Sequence, residues 1–129
     1  METKINATEI EINGTKYVPK DSITQTAKDV DGLKPVLIRS YAAGVHFGLL
    51  KEKRETLSGV IVTLVKTRRI WSWYGAASLS QLAVEGIKKP NESKLSMELE
   101  SNEIVNCVEI IPLTEKAYEQ LKNISVWKV

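Results

Sequence analysis

The chain has 129 residues, one domain's worth, with 43% apolar and 26% charged residues and a net charge of only +2. That balance disfavours a general nucleic-acid binder, which carries a large positive excess. No apolar run approaches the ~20 residues of a membrane span, and the single cysteine, Cys107, leaves no internal disulfide and no thiol-rich metal site.

The opening "METKINATEIEING" lacks the apolar core of a secretory leader. A reducing cytoplasm is therefore the expected compartment. "TEIEINGTKYV" predicts a hairpin about Asn13-Gly14, because both turn positions take positive φ. Ile12 then faces Thr15, Glu11 faces Lys16 and Ile10 faces Tyr17, so one side is apolar and must dock. Residues 19–34 are polar and irregular and read as a connector or flexible arm between the hairpin (1–18) and the core (35–129). "PVLIRSYAAGVHFGLL" is rich in strand formers, and Gly44 and Gly48 inside it signal a bulge or a close approach. "KEKRETLSG" reads as a polar turn and "VIVTLVKTRRIWSWY" as a strand whose first half is covered on both sides.

"SLSQLAVEG" predicts a short helix. Ser78 is its N-cap, Gln81 has the capping-box spacing, Gly86 stops it, and Leu79, Leu82 and Ala83 form the buried stripe. "KLSMELES" and "IVNCVEIIPL" read as two strands. "TEKAYEQLKN" is a second helix capped by Thr114, with Ala117, Tyr118 and Leu121 inward. "SVWKV" offers an edge strand. The sum is a single α+β domain: an antiparallel sheet core, an N-terminal hairpin and two short helices.

Enzyme signatures are sparse. The one histidine, His46, reads as a packed or hydrogen-bonded structural residue, and Cys107 as a buried, inert thiol. No phosphate-cradling glycine loop and no metal-ligand spacing is present, so no catalytic residue, cofactor or metal is assigned. Binding chemistry is denser. On a strand alternate residues share a face, which places Arg69, Trp71 and Trp73 together and Arg68, Ile70, Ser72 and Tyr74 opposite. Arginine brings a planar fork of donors suited to phosphate, and an aromatic ring gives a base a surface worth ~1–3 kcal/mol. Arg39 and Tyr41 repeat the combination on the preceding strand. Periodicity alone leaves a second reading, in which the tryptophans are core and the arginines snorkel to water.

"SYAAGVHFGLL", "TRRIWSWYGAASLSQLAVEGIKKPNESKLS", "CVEIIPLTEKA" and the terminal "VWKV" resemble a family of small phage and prophage proteins, across roughly residues 36–129. The functional family it resembles is the first class of phage anti-Thoeris sponges. That resemblance implies a β-sheet core with two helices and a homo-oligomer assembled from dimers in the host bacterial cytoplasm. It also implies sequestration, without degradation, of cyclic ADP-ribose-type messengers, with cyclic oligonucleotides of CBASS defence held at separate sites in some members. Arg39, Arg68, Arg69 and the nearby aromatics would then be the phosphate and base contacts. Ala42 stands where that pattern has serine and Thr67 where it has alanine, and neither removes a charged or aromatic candidate. The alternative is a structural or accessory virion protein, with Trp71, Trp73 and Trp127 buried at subunit interfaces.

Overall fold

The computed structural model describes residues 26–129 throughout. Before them it describes the backbone of three strands, β1 (Thr3–Ile5), β2 (Ile10–Ile12) and β3 (Thr15–Tyr17). Strands β2 and β3 pair Ile12 with Thr15, Glu11 with Lys16 and Ile10 with Tyr17, the register that an Asn-Gly turn dictates. Strand β1 adds to the other edge of β2, a pairing the hairpin pattern did not predict. The Asn13-Gly14 turn, the docking of the hairpin's apolar side and residues 19–25 of the connector lie outside the described residues.

From residue 26 onward the expected flexible arm is tied down. Ala27 is buried and donates its N–H to the Leu113 carbonyl at 2.7 Å. Val30 and Leu33 exchange backbone hydrogen bonds at 2.8 and 2.9 Å around a turn in which Asp31 and Gly32 take positive φ.

The main sheet holds β4 (Lys34–Ser40), β5 (Gly44–Thr56), β6 (Gly59–Ser72), β7 (Lys94–Leu95) and β8 (Leu99–Pro112), every pairing antiparallel. Three readings of strand length are corrected here. Residues 35–50 are two strands of a hairpin, because the chain reverses through residues 41–43. "KEKRETLSG" is mostly strand, since β5 continues to Thr56 and only Leu57 and Ser58 turn. Likewise "KLSMELES" does not form one strand: it breaks at residues 96–98, and its end merges with the next segment into the 14-residue β8.

The order is β5-β4-β8-β6-β7, and β5 also pairs with β6. Strands β4, β5, β6 and β8 therefore form a closed circuit of pairings. Its inward side chains, Val36, Ile38, Val62, Leu64, Ile104 and Cys107, make one buried cluster. Burial raises the Cys107 thiol pKa, as expected of an inert core cysteine. Closure leaves β6 central, as predicted, yet only its inward side is sealed: Val62 and Leu64 are buried while Ile61 and Thr63 are half-buried.

The outward face carries the larger cluster, with Leu37, Phe47, Leu49 and Ile70 meeting the helices α1 (Leu79–Glu85) and α2 (Glu115–Lys122). Both helices form where their caps predict. The Ser78 hydroxyl accepts from Gln81 N at 3.1 Å, and the Gln81 side chain accepts from Ala77 N at 2.7 Å. Gly86 ends α1 with φ 79°. Thr114 caps α2 and also donates its hydroxyl to the Val84 carbonyl at 2.7 Å, tying the two helices together. Ala117, Tyr118 and Leu121 are buried as read, Leu82 and Ala83 likewise, and Leu79 is half-buried at the margin.

Candidate functional site

The decisive local feature lies in the middle of β6. Phe47 pairs with Arg68 and Leu49 with Val65, so Gly48 faces two residues, Lys66 and Thr67. Lys66 is the extra residue and takes φ 48°. Gly48 is required opposite the bulge: a Cβ there would lie 2.8 Å from the Thr67 Cβ. One inserted residue exchanges the faces of everything after it. Val65 packs against the helix-side cluster, whereas Thr67, two residues on, lines the opposite side with His46.

Because of that exchange, Arg68 points into the helix layer. It is 3% exposed, and its guanidinium is held by backbone carbonyls. Nε donates to the Ser96 carbonyl at 2.7 Å, and Nη1 donates to the carbonyls of Leu121 at 3.0 Å and Ile124 at 2.8 Å. Leu121 lies in the last turn of α2 and Ile124 just beyond it, at the negative end of the helix dipole. Burial lowers the Arg68 pKa, and Glu98 partly offsets it. As a phosphate contact Arg68 is therefore corrected: its donors are used in holding α2 and the chain end.

Arg69 points the other way, into a cleft of about 440 Å³ lined by His46, Thr67, Trp71, Asn102 and Trp127 among others. That volume falls in the usual range of small-ligand sites, about 300–1,000 Å³. The Arg69 guanidinium lies 4.6 Å from the centroid of the Trp71 ring. Trp71 in turn stacks on Trp127, with centroids 6.4 Å apart and planes 19° apart. Lys94 Nζ is 5.0 Å from the centroid of the Trp127 ring. The two stacked indoles are thus each held by a cation. Such contacts contribute about 0.5–1.5 kcal/mol each, enough to hold the rings without burying them. Trp71 remains 58% exposed and Trp127 49% exposed. Among the described residues no carboxylate lies within 4.0 Å of Arg69.

The other predicted contacts do not converge here. Trp73 is corrected: β6 ends at Ser72, the alternation stops with it, and Trp73 packs against the helix-side cluster. Tyr41 is also corrected. It lies in the turn after β4, 86% exposed, and so is not on a strand with Arg39. Arg39 is on the outward side of β4, with its Nε donating to Glu109 at 3.1 Å, and the closed sheet separates it from Arg69. Of the six candidate residues the cleft unites Arg69 and Trp71. What the sequence pattern missed came from elsewhere in the chain: Trp127 from the last residues, Ser96 and Met97 from the break before β8, Asn102 from β8 itself. "SVWKV" contributes one bridge, Val126 with Leu95, and the Trp127 N–H donates to the Leu95 carbonyl at 2.9 Å, which seats the indole.

His46 is directly opposite Arg69 across the β5–β6 pair. It is 4% exposed, and its Nε2 is 2.9 Å from the Ala43 carbonyl. A carbonyl only accepts, so Nε2 carries the proton and bridges the β4–β5 turn, the structural role expected. Burial lowers the His46 pKa; the bond to Ala43 opposes this, and the Arg69 charge adds to it.

No curated protein and no solved structure matches the chain. Residues 33–121, well over half its length and including every cleft residue named here except Trp127, match the family described as a domain of unknown function (DUF6948), and the chain belongs to that family.

Proposed function

We propose that this protein is a non-catalytic binder that sequesters small cyclic nucleotide messengers. These are of the cyclic ADP-ribose type and extend to cyclic oligonucleotides. It acts as a homo-oligomer in the host bacterial cytoplasm and so blocks an anti-phage defence. The observation that supports this most is the Arg69 guanidinium over Trp71, itself stacked on Trp127, beside a cleft of nucleotide size. A guanidinium offers charge-assisted hydrogen bonds to phosphate, and an exposed indole offers a base a stacking surface. The biological setting comes from the likeness of residues 40–50, 67–96 and 107–117 to small phage and prophage proteins, and from the resemblance of the strand-and-two-helix layout to phage anti-Thoeris sponges.

The polar lining favours holding over chemistry. The Thr67 hydroxyl donates to the Phe47 carbonyl at 2.8 Å, and the Ser96 hydroxyl donates to the Met97 carbonyl at 3.0 Å. Neither is paired with His46 as a nucleophile would be with its base. Among the described residues no carboxylate and no thiol lines the cleft.

The test is calorimetric titration with cyclic ADP-ribose and cyclic oligonucleotides, followed by recovery of the ligand after heat denaturation. Binding with the ligand returned unchanged is expected. Turnover of any of them, or no binding at all, overturns the reading. In the second reading the protein is a structural or accessory virion component. It draws support from Trp71, Met97, Leu99 and Trp127, large apolar side chains exposed about one cleft, since such patches mark contact surfaces. Assembly in sedimentation that is lost in Trp71→Ala, together with no nucleotide binding by the wild type, would select it.

A further inference from the structure

Within the nucleotide reading, on which this inference rests, we propose that His46 is a specificity residue: its unprotonated Nδ1 accepts a hydrogen bond from a ribose hydroxyl of the bound nucleotide.

The geometry has three parts. First, the tautomer is set by the protein, because the Ala43 carbonyl requires the proton to be on Nε2. Nδ1 is then a bare acceptor. Second, Nδ1 keeps some accessibility on a residue that lines the cleft. Among the described residues it has no hydrogen-bond partner, and no buried side-chain nitrogen or oxygen is left unsatisfied, so this atom is not sealed away. His46 reaches accessible space at the cleft it lines. Third, the placement fits a nucleotide's own order of groups. His46 and Arg69 are directly paired across β5 and β6, and Arg69 lies over Trp71. A phosphate on Arg69 and a base on the indoles put the connecting sugar beside the imidazole. A sugar hydroxyl donates, which is what a bare imidazole nitrogen selects. Of the neighbouring polar groups, Arg69 only donates and the Ser96 oxygen already accepts from Arg69 N at 2.8 Å, while the Thr67 hydroxyl and the Asn102 amide are the other acceptors in the lining, which is why the test reads the hydroxyl preference in His46→Gln.

His46→Gln separates the two roles of the ring. Glutamine's amide reaches as far as Nε2, so it keeps a donor for Ala43 while withdrawing the acceptor at Nδ1. The probes are cyclic ADP-ribose, its analogues lacking the 2′- or 3′-hydroxyl of either ribose, and its 6-oxo analogue, which lacks the base amine. The wild type is expected to bind cyclic ADP-ribose about three- to tenfold more tightly than one of the deoxy analogues, the range for one neutral hydrogen bond. His46→Gln should bind those two alike. Three results overturn the proposal while leaving the nucleotide reading intact: no hydroxyl preference in the wild type, a preference undiminished in His46→Gln, or discrimination confined to the 6-oxo analogue. Failure of the wild type to bind any of the probes overturns both.

Discussion

On the helix side of β6, Arg68 gives its donors to the carbonyls of Ser96, Leu121 and Ile124, while on the cleft side Arg69 rests over an indole with no carboxylate beside it. The two residues are adjacent, chemically identical and on one strand. Their difference shows that a guanidinium's role is set by what it faces. A buried one must find acceptors for its donors, since an unpaired buried charge is very costly. A half-exposed one can leave its donors toward water and keep them for a ligand. The bulge at Lys66 decides which arginine is which.

The largest expected effect breaks the helix side. Arg68→Ala leaves buried carbonyls without donors and should cost at least about 3 kcal/mol in urea denaturation, from hydrogen bonds worth ~1.5–3 kcal/mol each. For a domain stable by ~5–15 kcal/mol that is a severe loss. Arg68→Lys should recover only part of it, because a point charge cannot reach carbonyls in two directions. A wild-type denaturation midpoint in Arg68→Ala would show that the clamp does not hold α2. Leu121→Ala, in the same layer, should cost ~2–5 kcal/mol, and Leu79→Ala less than that because Leu79 is only half-buried.

Next is the bulge itself. Gly48→Ala forces a methyl against Thr67 and should cost about 1–3 kcal/mol. It should also weaken ligand binding, because Thr67 and Arg69 shift together. Unchanged stability would mean that the strand relaxes without strain and that Gly48 is not required there.

Arg69→Ala sharpens the contrast from the other side. Its stability should stay within about 1 kcal/mol of wild type, the size of one exposed cation–π contact, while affinity for cyclic ADP-ribose falls by about ten- to a hundredfold. Arg39→Ala is its control: an exposed pair with Glu109, worth about 0–1 kcal/mol, on the wrong side of the sheet to affect binding. Equal affinity losses in both variants would mean that the cleft has been misplaced.

The smallest effect is a pH slope. The folded pKa of His46 lies below its ordinary value of 6.5, so between those values the unfolded chain binds more protons than the folded one. The contribution of His46 to stability is therefore complete above pH 6.5 and declines as pH falls toward the folded value. Wild type should lose stability relative to His46→Gln across that window. Parallel pH profiles would show that the ring titrates as it does in the unfolded chain.

Local chemistry made much of this protein legible from its residues. Ser78, Gln81 and Thr114 announced both helices, Gly86 the end of one, and Asn13-Gly14 the register of the N-terminal pair. Those signals act through a few neighbouring dihedrals and short hydrogen bonds, so they survive any change of surroundings. The union of Arg69 with Trp71 was legible for the same reason, because strand alternation is local. The turn at residues 41–43, the merging of β8, the loss of Trp73 to the core and the burial of Arg68 were not. Each depends on which distant strand pairs where, and that is settled by closing the β4-β5-β6-β8 circuit around its apolar interior. The cleft belongs to the same class. Trp71 and Trp127 meet because Leu95 seats the chain end beside β6, a contact between segments that no local pattern connects.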